Sequence, residues 1–135
     1  MSKKVFINLP VKDLDKSVAF FTKLGYTFNP QFTDQNATCM IISDTIYAML
    51  LVEPFFKTFT LTEIPDSVKT NECTICLSVD DKKEVDEMVA KAKAAGATIP
   101  RDKQDHGFMY SHGFRDLDGH LWEHMWMDPA AIKQQ

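Results

Sequence analysis

The chain has 135 residues, 44% of them hydrophobic and 11% aromatic, which suits a single compact domain with its own core. Fifteen Lys and Arg against nineteen Asp and Glu give a net charge of -4 with both signs interspersed, which argues against nucleic acid or an anionic membrane as a partner. The opening MSKKVFINLPVKD lacks an apolar signal segment, and no later apolar run approaches the ~18 residues of a membrane span, so a cytoplasmic protein is expected.

In chain order, Val5, Ile7, Leu9 and Val11 alternate with Phe6, Asn8 and Pro10, the period of a strand with one aliphatic face. Asp13 is placed to cap a helix running to about residue 24, with Leu14, Val18, Phe21 and Leu24 as its apolar stripe and Gly25 as its stop. Three short strand-like runs follow near 26–33, 37–43 and 46–52, broken at Asp34-Gln35-Asn36 and Ser43-Asp44. A connection over about 53–70 contains Pro54, Pro65 and the aromatics Phe55, Phe56 and Phe59, read either as a lid or dimer contact or as a core plug.

The same order then begins again. Ile75, Leu77 and Val79 alternate with Thr74, Cys76 and Ser78; Asp81 and Glu84 have the spacing of a capping box; Val85, Met88, Val89 and Ala92 form a second stripe, ended by Gly96. Strands are expected near 97–101, 108–115 and 120–127, the last after an Asp118-Gly119 turn. Cys39, Cys73 and Cys76 are odd in number, and the lone C-x-x-C has no second pair of ligands nearby, so reduced thiols are expected.

The two halves align. Leu9 to Asp13 lies over Leu77 to Asp81 at an offset of 68, Gly25 to Phe28 over Gly96 to Ile99 at 71, and Asp44 to Met49 over Asp118 to Glu123 at 74, a drift of loop size. The expected fold is therefore α+β: two tandem βαβββ modules, about 4–52 and 71–127, in one domain with a tail over 128–135, their strands forming a curved mixed sheet around a cleft. Each helix should cover the aliphatic face of its module. The opposite face then carries Phe6, Asn8, Tyr47, Met49, Leu51, Thr74, Cys76, Glu123 and Met125, mostly apolar with a few polar groups, as suits a small organic ligand.

The run NLPVKDLDKSVAFFTKLG, Asn8 to Gly25, resembles the opening strand and helix of the vicinal-oxygen-chelate superfamily, which includes glyoxalases, bleomycin-resistance proteins and extradiol dioxygenases. FRDLDGHLWE, Phe114 to Glu123, is similar to its closing F-x-D-P-D-G-x-x-x-E signature, with Leu117 in place of the frequent proline. The resemblance implies a glyoxalase-like fold, a homodimer, and in the metal-dependent members one ligand from each of four strands. Those positions fall here on Phe6, Thr74, Met49 (to within one residue) and Glu123. Phe cannot ligate, Thr is a poor ligand and Met is soft, so only Glu123 survives and no metal or other cofactor is expected.

Glu123 is thus the catalytic candidate, a carboxylate whose apolar neighbours suit it to acid or base work. The ligand-binding candidates are Phe6, Asn8, Tyr47, Met49, Thr74, Cys76 and Met125, with His106 and Tyr110 at a cleft rim formed by the Gly107 loop. His120 is expected to be exposed after its turn. Trp122 and Trp126 should pack as core, which puts His124 on the same face, an awkward place unless it is paired or near an edge. The reading is a metal-independent protein that binds a small, partly apolar molecule, in resistance or sequestration. The alternatives are a metal-dependent lyase or dioxygenase with Glu123 and His106, His112, His120 or His124 as rebuilt ligands, and a dimeric interaction module.

Overall fold

A computed structural model describes residues 3–131, so the last four residues of the expected tail lie outside the described residues. The chain divides between Pro65 and Asp66 into two compact units. In the first, β1 (Val5–Val11) leads into α1 (Leu14–Lys23), then β2 (Thr27–Asn29), a 3-10 turn (Pro30–Phe32), β3 (Ala37–Ile41), β4 (Ile46–Val52) and α2 (Glu53–Thr60). In the second, β5 (Ile75–Ser78) leads into α3 (Lys82–Ala94), β6 (Gln104–Asp105), β7 (Met109–Arg115), β8 (Leu121–Met127) and a 3-10 turn (Pro129–Ala131). The strands form two four-stranded mixed sheets, ordered β1-β4-β3-β2 and β5-β8-β7-β6. These are the two tandem modules expected from the repeat.

The module helices α1 and α3 start and stop by the same devices. The Asp13 carboxylate accepts from Lys16 N at 3.1 Å and the Asp81 carboxylate from Glu84 N at 3.0 Å, caps worth about 1 kcal/mol each. At the other end Gly25 and Gly96 take φ values of 102° and 112°, which side chains disfavour. That turn lets Tyr26 N reach Phe21 O at 3.1 Å and Ala97 N reach Ala92 O at 2.9 Å, closing a six-residue C-cap in each module. In the first cap Phe21 and Tyr26 also pack edge to face at 6.1 Å.

The helix-covered faces are the cores. In the first unit Leu9, Val11, Met40, Ala48 and Leu50 are buried with Phe20, Phe21 and Leu24 of α1. The buried stripe of α1 runs Ser17, Phe20, Phe21 and Leu24, whereas Leu14 and Val18, expected in it, are only half-buried. In the second unit the pairs Tyr110–Trp126, His112–His124 and Phe114–Trp122 across β7 and β8 share the face toward α3, as the bond from the Tyr110 hydroxyl to Asp86 of that helix shows.

The structure departs from the sequence reading at Pro30–Phe32, where a 3-10 turn replaces the end of the strand expected over 26–33, and in two longer segments. The connection after β4 opens with α2, in which Pro54 sits in the first turn, where its missing N–H costs nothing. Phe55 and Phe59, one turn apart, pack edge to face at 5.2 Å. No residue of α2 is fully buried, so it is not a core plug. The strand expected over 97–101 is reduced to a single bridge, Thr98 to Arg115, and pairing resumes only at Gln104 with Ser111. Five residues, Ile99 to Lys103, thus stand opposite three, His112 to Phe114, and the excess bulges out.

His124 lies on the central strand β8, 2% exposed, stacked on Phe114 at 6.0 Å, with both ring nitrogens buried and unpartnered among the described residues. Burial pulls its pKa down from 6.5 to about 4, so the folded protein holds it neutral. The unfolded chain takes up a proton below pH 6.5 that the folded chain refuses until about pH 4. Stability from this group is therefore full above pH 6.5 and declines as pH falls from there to about 4, by an amount on the order of 3 kcal/mol. The neighbouring Asp116 carboxyl is raised, chiefly by burial, and its contribution runs the opposite way, from pH 3.8 upward. Urea titrations at several pH values should show His124→Phe flattening the slope between pH 6.5 and 4 while leaving the Asp116 contribution in place. An unchanged slope would show that another group sets the acid limit.

Gly113 on β7 meets Glu123 so closely that an added Cβ would lie 2.9 Å from Glu123 Cγ and collide with the Trp122 carbonyl. Gly113→Ala should lower stability by about 3 kcal/mol in the same titrations, and a neutral effect would mean that β8 can move aside.

Candidate functional site

The face of the second sheet away from α3 carries Ser111, Gly113 and Arg115 of β7 opposite Met125, Glu123 and Leu121 of β8. Cys76 and Ser78 of β5 pair in parallel register with Glu123 and Met125. Gly113 presents no side chain, so the floor beside Glu123 is open. The bulge at 99–103 supplies the rim. A pocket of about 360 Å³ results, lined by Thr74, Pro100, Arg101, Gly113, Arg115, Leu121 and Glu123.

The bulge is tied down from the far side of the sheet edge by His112, whose Nε2 lies 2.9 Å from the Arg101 carbonyl. A carbonyl only accepts, so that nitrogen carries the proton. The Arg101 guanidinium comes within 3.8 Å of the Glu123 carboxylate, the side chains being 61% and 24% exposed. Such an exposed pair contributes ~0–1 kcal/mol and can open easily. Arg115 is held far more firmly. Its Nη1 donates to Asn71 Oδ1 at 2.6 Å, Gly119 O at 2.9 Å and Ser67 O at 3.2 Å, and Asn71 Nδ2 in turn donates to Gly119 O at 3.3 Å.

Of the residues expected at a site, Glu123 and Thr74 line this pocket. Cys76 stands beside Glu123, and partial desolvation with the Glu123 charge pushes its thiol pKa up, which disfavours the thiolate. Met125 is the next residue along the same face. Phe6, Asn8, Tyr47 and Met49 group separately, on the open face of the first sheet, where Phe6 pairs with Tyr47 and Asn8 with Met49. Phe6 and Tyr47 stack at 5.0 Å, and Asn8 Nδ2 donates to Phe6 O at 3.2 Å.

Two rim candidates are not brought to the pocket. Tyr110 is buried on the helix-covered face, its hydroxyl donating to Asp86 at 2.6 Å. His106 sits in an exposed turn whose Gly107 N donates to Asp105. His120, expected to be exposed, is buried because its turn folds inward around Asp116, which accepts from His120 N at 3.0 Å.

The lining residues missed from the sequence are Pro100, Arg101, Gly113, Arg115 and Leu121. Counting outward from the Asp118-Gly119 turn pairs Arg115 with Leu121 and Gly113 with Glu123, so the hairpin itself carried the signal for three of them. Pro100 and Arg101 arrive through the bulge, which no local pattern announces.

The four positions where the superfamily's metal ligands would stand do not fit a metal. Phe6 has no donor, Met49 offers a thioether and Thr74 a hydroxyl, and the one carboxylate, Glu123, faces a guanidinium. The histidines do not repair the set: His124 points to the opposite face from Glu123, His112 is bonded to Arg101, and no group of three His, Cys, Asp or Glu that could hold a metal ion occurs among the described residues.

Residues 3–43 match the family model for the bleomycin resistance protein-like N-terminal region. Among solved structures, a hypothetical protein from S. aureus is similar at 28% identity and a TM-score of 0.79, covering 93% of this chain and 94% of that one. A glyoxalase/bleomycin resistance protein/dioxygenase family enzyme from Burkholderia phytofirmans PsJN has the same TM-score of 0.79 at 15% identity, over 93% and 99% of the two chains. A genomically encoded fosfomycin resistance protein, FosX, from Listeria monocytogenes reaches 0.67 at 22% identity, over 93% of each. The last two likenesses are of fold alone. No curated protein matches the chain. The paired modules, with the family match over residues 3–43, are similar to those of the vicinal-oxygen-chelate superfamily and support the resemblance read from the sequence.

Proposed function

We propose that this protein binds a small, partly apolar organic molecule in the pocket beside Glu123, without a metal centre, in the manner of a resistance or sequestration protein. The observation that carries the reading is the pocket itself: a Gly113 floor and a bulged rim enclose about 360 Å³ where the repeat places the only remaining carboxylate. That volume lies in the range of small-ligand sites. Leu121 and Pro100 supply apolar wall, and Glu123 with the two arginines supplies the polar groups of the lining. The likeness to proteins named for bleomycin and fosfomycin resistance supports a role of this kind.

A thermal-shift screen of small molecules on protein stripped with a chelator should yield ligands that raise the melting temperature, and Leu121→Trp, which fills the pocket, should weaken them ~10-fold or more. Ligands untouched by Leu121→Trp would place binding elsewhere. Elemental analysis completes the test. About one equivalent of a divalent metal that survives dialysis and disappears in Glu123→Ala would overturn the metal-free reading and favour the lyase or dioxygenase alternative.

The proposal extends to a cytoplasmic homodimer. No described helix is long and apolar enough to cross a membrane, and Val5 and Phe6 leave about half of their surface exposed on β1, apolar area of the kind subunits cover. Light scattering should give twice the mass of one chain for the wild type and a shift toward one for Phe6→Asp; a monomeric wild type would refute the dimer.

A further inference from the structure

We infer that the molecule this pocket takes is a small organic anion, its oxyanion head held by the free edge of the Arg115 guanidinium and its apolar body against Leu121 and Pro100. The inference rests on the reading of the pocket as a ligand site. It comes from the charges that line it. In a chain of net charge -4, the ionisable groups of the lining are Arg101, Arg115 and Glu123, two cations to one anion.

Arg115 is the stronger part of the argument. A guanidinium carries five N–H donors in a rigid plane. Here Nη1 alone makes the anchoring bonds, to Ser67 O, Asn71 Oδ1 and Gly119 O, and all three acceptors are neutral. The anchor therefore fixes the plane without cancelling its charge. Nε and Nη2 have no hydrogen-bond partner among the described residues, and neither is buried without one. Two parallel N–H groups on a preset guanidinium match a carboxylate or a phosphonate in bidentate fashion.

Arg101 supplies the second charge. Its separation of 3.8 Å from Glu123 exceeds the 2.7–2.9 Å typical of a charge-assisted hydrogen bond, and its side chain is 61% exposed. It can thus turn from Glu123 to an incoming anion while His112 keeps its backbone in place. A neutral ligand would strip water from the Arg115 charge and return only a neutral acceptor, whereas an oxyanion returns charge-assisted hydrogen bonds.

Amide NMR titrations with benzoate, phenylphosphonate and the neutral isostere benzamide test this. Both anions should shift the Gly113 and Glu123 amides and bind ~10-fold or more tightly than benzamide, with affinity falling as salt rises. Arg115→Lys keeps the charge but not the fork and should cost ~10-fold; Arg101→Gln should cost a few-fold, and Glu123→Gln, which removes the competing carboxylate, should gain a few-fold. If Arg115→Lys does not fold, Arg101→Gln and Glu123→Gln carry the test. Benzamide binding as tightly as benzoate at these amides would overturn the anion while leaving the pocket reading intact. No shift at these amides with any probe at about 10 mM would overturn both.

Discussion

The carboxylate of Asp116 sets the geometry on which the site depends. Buried at the end of β7, it accepts from Asp118 N at 2.9 Å, His120 N at 3.0 Å and Trp122 Nε1 at 3.0 Å. Hydrogen bonds to a charged acceptor are worth about 1.5–3 kcal/mol each, and losing this one acceptor would orphan three donors at once. Burial pushes the Asp116 carboxyl up, while the His120 charge and the Trp122 and Asp118 bonds pull it back. Because the turn is closed on a side chain, the hairpin has one register. Arg115 must then face Leu121, Gly113 must face Glu123, and the Gly119 carbonyl must point where Arg115 can use it.

The two modules share a frame and differ in what they do with it. Asn8 pairs with Met49 in the first and Cys76 with Glu123 in the second, the positions related by the offsets of 68 and 74 read from the sequence. Strand pairing thus settles the one-residue uncertainty at Met49. On the neighbouring strand the equivalent residues are Cys39, paired with Met49, and Gly113, paired with Glu123. Cys39 is buried and fills its place, whereas Gly113 leaves a floor and lets β8 approach too closely for any side chain. The absent side chain at Gly113 and the bulge on the adjacent edge together open the pocket beside Glu123.

What the sequence disclosed follows from how local each signal is. The caps at Asp13 and Asp81 and the stops at Gly25 and Gly96 are fixed within a few residues, and all four stand where the sequence puts them. Alternation along β8 placed Glu123 and Trp122 on opposite faces correctly, since a strand has only two. Tyr110 and His120 were misplaced for a different reason. Which face of β7 meets α3 depends on Asp86, 24 residues away, and the inward fold of the turn depends on the desolvated Asp116. In α2, Pro54 with three phenylalanines and two threonines mimics a loop, although proline in a first turn is harmless. The bulge at 99–103 is set by pairing on both sides of it and has no signature of its own.

Glu123 changes meaning in this setting. Where the superfamily's metal-dependent members would gather four ligands on a cation, this chain sets its one carboxylate opposite Arg101, a cation of a different kind. A guanidinium remains protonated throughout the physiological range and donates in fixed directions, so it orients and neutralises an oxyanion by hydrogen bonds. It has no vacant coordination position through which to draw electrons from a bound oxygen. Arg115 is held by neutral acceptors and Arg101 is only loosely paired, which is the arrangement the proposed recognition of an anion requires. On the proposed reading Glu123 is less a remnant ligand than a placeholder for the anion, keeping Arg101 near the pocket.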